Sequence, residues 1–195
     1  MSKITDYAFL FQNSSGKSAF NPIGSFQLSQ LNSSAVQSQL KAAGINTNSK
    51  QYKAAVKQMM SAGNGAMYGN IQGIKNLMSH YDKDGDYINP VNGLAGLLVT
   101  DENESSRKRI ISIPDSSKEE MYELTKKEFL RENGVHNGDT TKRTDVYNNL
   151  YRKMSKKDRL AAGYTLEKYE RIYRQAFYDA AKKADPNWEI GKPIK

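Results

Sequence analysis

Leu166, Tyr169, Ile172, Tyr173, Ala176, Phe177 and Ala180 recur at helical spacing and lie along one face of a single long helix. Thr165 stands before this run as an N-cap, and Asp185-Pro186 closes it. So broad an apolar face has to be covered, which obliges the chain to supply further helices. Ser33-Ser34 opens one with Val36 and Leu40 inside and Gly44 as its stop. A second is expected from Ser49 to Ala62, with Tyr52, Val56 and Met59 on its face, and a third from Ala66 to Ser79, with Met67, Ile71, Ile74 and Met78. Asp115-Ser116-Ser117, followed by Glu119 and Glu120, starts a fourth that runs to Gly134. A fifth begins near Thr141 and carries Val146, Tyr147, Leu150, Tyr151 and Met154, and Ser155 with Asp158 opens a short turn that closes at Gly163. Leu97 to Thr100 and Arg109 to Ile113 are β-branched or apolar runs around the polar stretch Asp101 to Lys108, a pattern that predicts a hairpin. The expected fold class is mainly α: a helical domain of about six helices with one small β-hairpin near 97–113.

At 195 residues the chain is long enough to bury a core, and one helical domain is expected over 35–195. Residues 1–34 form a Ser/Asn/Gln-rich leader with scattered large apolars such as Tyr7, Phe9, Phe20 and Phe26. Such a segment either drapes partly over the body or stays disordered until a protein partner covers it. The net charge of +8 favours anionic partners, but residues 101–195 interleave twenty-one Lys and Arg with seventeen Asp and Glu. That interleaving reads as a solvated helical surface and argues against nucleic acid as a partner. With no cysteine, disulfides and Cys-ligated metals are excluded. The longest early apolar run, Tyr7 to Phe11, is too short for a membrane span or a signal-peptide core. The expected location is therefore cytoplasmic by default, with export without a cleaved signal as the alternative.

Chemistry concentrates in His80-Tyr-Asp-Lys-Asp-Gly-Asp-Tyr-Ile-Asn-Pro90, where three of the four acidic residues of the first hundred positions fall. Asp82, Asp84 and Asp86 repel one another unless a cation or backbone donors sit among them. Their spacing resembles positions one, three and five of a calcium loop of the EF-hand or dockerin type, over residues 82–93. The resemblance implies a calcium site at Asp82, Asp84, Asp86 and the main chain about Ile88. Tyr87 stands where that family has glycine, and Gly93 or Asn92 where it has the bidentate glutamate. A replacement carboxylate would come from Asp101, Glu102 or Glu104 at the hairpin tip. The alternative is a polar turn in which the aspartates cap backbone amides.

No catalytic residue or organic cofactor site stands out. The sequence lacks a phosphate loop, a nucleophile elbow and a His-Glu-x-x-His motif, and its two histidines, His80 and His136, read as a helix-end and a loop residue. The C-terminal tyrosines fall at core spacing with Leu150, Ile172 and Phe177, which favours packing with hydroxyls at the rim over base stacking. Gln39 to Ala43, Tyr81 to Asp86, Gly93 to Thr100 and Leu124 to Phe129 are similar to an uncharacterised domain family of clostridial gut bacteria, a likeness that implies a bacterial origin and no activity. The expected function is a non-enzymatic structural or interaction protein with a weak calcium site stabilising the helix-to-hairpin junction. The alternatives are a polymer-acting hydrolase using His80 and an acidic residue, and a basic phage-like or nucleic-acid-associated protein.

Overall fold

The computed structural model of the chain describes residues 25–63, 67–138 and 140–194. Among them are seven α-helices and one two-stranded antiparallel sheet, the mainly helical fold expected. The chain divides into two compact units, Met1–Pro90 and Val91–Lys195.

The first unit contains β1 (Ser25–Gln27), α1 (Ser34–Ala42), α2 (Lys50–Ala62), β2 (Tyr68–Asn70) and α3 (Ile71–Met78). The predicted Ser33 cap forms, its hydroxyl accepting the Val36 N–H at 3.3 Å, and Ser49, expected as the first residue of the second helix, caps it instead by accepting the Tyr52 N–H at 3.1 Å. The helix faces read from the sequence meet in one core that buries Val36, Leu40, Tyr52, Met59 and Ile74, and Leu77, not among the residues read, joins it while Met67, Ile71 and Met78 are partly buried. Phe26, Leu28 and Leu31 join that core, so the end of the polar leader is part of this unit. Residues 1–24 of the expected leader lie outside the described residues.

Two corrections concern the sheet and the third helix. The antiparallel pair is Ser25–Gln27 with Tyr68–Asn70, Phe26 facing Gly69, and not the hairpin expected near 97–113. Residues 68–70 are thereby removed from the predicted third helix, which starts at Ile71 after Asn70 accepts the Gly73 N–H at 2.7 Å. Gly69 suits the close pairing: a Cβ there would lie 3.1 Å from the Leu28 side chain and 3.3 Å from the Phe26 ring, so a larger residue requires those side chains to give by a few tenths of an ångström.

The second unit contains α4 (Glu104–Arg107), α5 (Asp115–Arg131), α6 (Thr140–Lys153) and α7 (Arg159–Ala184). Residues 97–113 contain no strand. The Asn103 side chain accepts from the Thr100 N–H and donates to the Leu98 carbonyl, which winds the polar stretch into α4. The Ile111 N–H goes to Thr165 Oγ1 at 3.1 Å instead of to a strand partner, and Ile113 plugs the core beside Met121, Val146, Leu150 and Leu166. Thr165 is therefore a buried side chain inside α7 and not its cap. Gly163, expected as a stop, also lies inside α7, because the Tyr151 hydroxyl occupies the place of a Cβ, 2.5 Å from where one would be. Beyond this core, Phe129, Ala181 and Trp188 form a second cluster, with the Trp188 ring against Gly134.

Candidate functional site

The chain leaves α3 at Met78 and turns back on itself between His80 and Ile88. Tyr81 bridges Tyr87 in antiparallel fashion with their rings edge-on at 5.9 Å, and the Ile88 N–H donates to the His80 carbonyl at 2.8 Å. Inside this neck, Asp82 Oδ1 accepts the amides of Asp84 at 2.9 Å and Asp86 at 3.0 Å, while the Asp82 N–H donates to the Asp86 carbonyl at 2.9 Å. Gly85 turns the tip with φ +84°, and a Cβ on it would meet the Lys50 carbonyl at 3.0 Å. Gln51 donates from one amide nitrogen to the carbonyls of Met78 at 2.9 Å and Tyr81 at 2.8 Å. The turn is thus clamped to the start of α2.

One carboxylate oxygen from each of Asp82, Asp84 and Asp86 lies within 4.8 Å of the others. Calcium–oxygen distances of about 2.3–2.6 Å allow two oxygens on one ion to be at most about 5 Å apart, so the spacing is within the reach of one such ion. Asp82 is half-buried and Asp84 exposed, and His80, also half-buried, is not a member of the group. Ile88 is held in the neck by its N–H. Tyr87, in the glycine position of the calcium-loop pattern, is committed to the contact with Tyr81. Asp101, Glu102 and Glu104 lie on and just before α4 in the second unit, since the hairpin whose tip they were expected to form is replaced by that helix. His136 is exposed in a loop.

The second unit holds a charge cluster that the sequence reading placed among solvated pairs. Glu128 on α5, Glu170 and Arg174 on α7 are buried, and the Arg143 side chain on α6 is 16% exposed. Arg143 bonds Glu128 and, at 3.2 Å, Glu170; Arg174 reaches Glu170 at 3.0 Å and Glu128 at 3.5 Å. Each carboxylate touches both guanidinium groups, while Glu128 Oε1, Arg143 Nε and Arg174 Nη1 are buried without a hydrogen-bond partner, so the pairing offsets only part of the desolvation of the four charges. Burial pulls the Arg143 proton affinity down, but the bond to Glu128 and the charges of both glutamates outweigh it and hold it above the usual arginine range. Gly138 lies over the Glu128 carboxylate, where a Cβ would overlap it. The signal was present in the sequence: Glu170 and Arg174 continue the Leu166 stripe at steps of four, and Glu128 stands one step past Met121 and Thr125.

A family model for a domain of unknown function, DUF3879, matches residues 45–195. The chain belongs to the DUF3879 family. The DUF3879 stretch runs from just before α2 to the C-terminus and contains both the aspartate turn and the buried quartet, while β1 and α1 precede it. Comparison with curated proteins and with solved structures finds no match. No described helix of this DUF3879 protein is long and apolar enough to cross a membrane.

Proposed function

We propose that this DUF3879 protein is a non-enzymatic structural or interaction protein whose first unit carries a weak calcium site at Asp82, Asp84 and Asp86, with main-chain oxygen near Ile88 as a further ligand. The observation that carries the reading is the convergence of three carboxylate oxygens within 4.8 Å of one another on a turn clamped by Gln51. The donors are all oxygen, the set a hard cation selects over zinc or copper. Calcium takes six to eight oxygens, so three aspartates without a bidentate glutamate leave water to complete the shell, and the affinity falls near millimolar. With the hairpin absent, the segment such an ion would stabilise is the junction of α3, the turn and the start of α2.

The test is thermal melting of the full chain with added calcium. At calcium tenfold above a millimolar Kd the gain is about 1.4 kcal/mol, a rise of a few degrees in Tm. The D84N/D86N variant, which spares the Asp82 carboxylate that binds the turn amides, loses that rise while melting normally without calcium. An unchanged Tm of the parent protein at calcium tenfold above millimolar sinks the site.

A further inference from the structure

A basic and aliphatic face lies at the end of the second unit that carries the α6–α7 turn. Successive bonds wind residues 98–109 into one tier: Asn103 Nδ2 to the Leu98 carbonyl at 3.0 Å, the Ser106 N–H to the Asn103 carbonyl at 3.1 Å, and the Arg109 N–H to the Ser106 carbonyl at 3.2 Å. The Arg109 guanidinium then fastens this tier to Asp158 in the α6–α7 turn at 2.7 Å. Asp158 also accepts the Ser155 hydroxyl at 2.7 Å, so the acid of the turn is committed within it. Charges cancel along the tier, where Asp101, Glu102 and Glu104 stand against Arg107, Lys108 and Arg109. The excess comes from the end of α6 and the turn that follows it, with Arg152, Lys153, Lys156 and Lys157, of which Lys153 also reaches the Ser116 hydroxyl at 3.4 Å. On the tier, Leu98, Val99 and Ile110 are 53%, 38% and 48% exposed.

The chemistry of the exposed apolars separates two kinds of polyanion. A single-stranded nucleic acid is held by aromatic rings that stack on bases beside cations. Among the described residues of the second unit the large exposed apolars are all aliphatic. Aliphatics next to cations suit the boundary of a bilayer with anionic headgroups, where each buried chain adds area and each cation meets a lipid phosphate. We propose that this face docks peripherally on an anionic lipid bilayer, with Leu98, Val99 and Ile110 entering the headgroup boundary and the cations of the α6–α7 turn facing lipid phosphates.

The experiment is sedimentation of the full chain with vesicles of phosphatidylcholine alone or mixed with phosphatidylglycerol. Binding is expected only to the mixed vesicles, weakening as salt rises. Two variants, R152E/K153E/K157E and L98S/V99S/I110S, each bind at least ~tenfold more weakly. Both change exposed side chains, and an unchanged far-ultraviolet melt confirms folding; if charge reversal lowers the melt, R152Q/K153Q/K157Q replaces it. Absence of binding to mixed vesicles, equal binding to both vesicle types, or binding that neither variant weakens overturns the proposal. So does binding to duplex DNA or RNA, lost in the charge variant and kept in the serine variant, without binding to vesicles.

Discussion

The two units solve the same problem, joining short helices, with different interiors. In the first, α1, α2 and α3 bury a core of apolar side chains with no buried ion pair among the described residues, and Asp82, Asp84 and Asp86 lie in a turn held by backbone amides and by Gln51. In the second, apolar clusters lie toward either end of α5 and α7, and a layer of two glutamates and two arginines sits between them along those helices. Apolar contacts tolerate small shifts, since dispersion and burial are non-directional. A buried ion quartet does not, because each charge is costly unless its partner is in place. The difference is one of tolerance: the second unit concentrates its sensitivity in four side chains, whereas the first spreads it over eleven buried apolar residues.

The sharpest test of that contrast is Glu128→Gln. It keeps the shape and removes one charge, leaving two buried guanidiniums to share Glu170, and a loss of about 3–5 kcal/mol is expected. Trp188, the single tryptophan, lies in the second unit and reports the transition by fluorescence during urea unfolding. A loss below 1 kcal/mol would place the quartet with surface ion pairs and erase the distinction. In the first unit, Leu40→Ala removes a fully buried side chain and is expected to cost about 3 kcal/mol, read as faster hydrogen exchange of the α1 and α2 amides.

Gly138→Ala sharpens the comparison from the backbone side. Its Cβ pushes on the Glu128 carboxylate, so a loss of about 1–3 kcal/mol is expected in the Trp188 transition. The same change at Gly93, which has open space but φ +71°, should cost only the left-handed backbone penalty of about 1–2 kcal/mol. Asp82→Ala in the first unit deletes the acceptor of two turn amides and is expected to cost about 1 kcal/mol in the absence of calcium, measured by exchange of the Asp84 and Asp86 amides.

The smallest effect expected is one of pH. The Ser155 hydroxyl is the main cause that holds the Asp158 carboxyl below its ordinary value of 3.8; desolvation opposes it, and the bond to and charge of Arg109 add to the lowering. A depressed folded pKa gives stability that is present above the unfolded value and lost as pH falls through the folded one. Asp158→Asn should therefore flatten the stability profile at and below about pH 4 and leave its shape near neutrality unchanged. An identical acid limb in the two proteins would count against the Ser155 and Arg109 contacts.

What was legible follows from the range of the interactions involved. Helix-start signals act within three residues, so α1 follows its predicted Ser33 cap and α2 begins within one residue of the expected Ser49. The aspartate turn was equally local, and its spacing brings the three carboxylates together as read, while the cation itself stays a proposal. Gly163 and Thr165 misled because their meaning depends on Tyr151 and Ile111, which meet them only after α6 and the 97–113 segment fold against α7. Strand-like runs at 97–113 failed for the same reason: β-propensity describes fit to a half-buried extended surface, and here the surface was a helix.

By itself the sequence determined the mainly helical class, the cap of α1, the start of α2, most apolar faces and the clustering of acids in one turn, all set by contacts within four residues along the chain. Tertiary structure decided the pairing of Ser25–Gln27 with Tyr68–Asn70, the continuity of α7 through Gly163, and the burial of Glu128, Arg143, Glu170 and Arg174. Those depend on partners distant in sequence, and a charge on a helical stripe becomes an interior ion only when the opposing helix supplies its counter-ion.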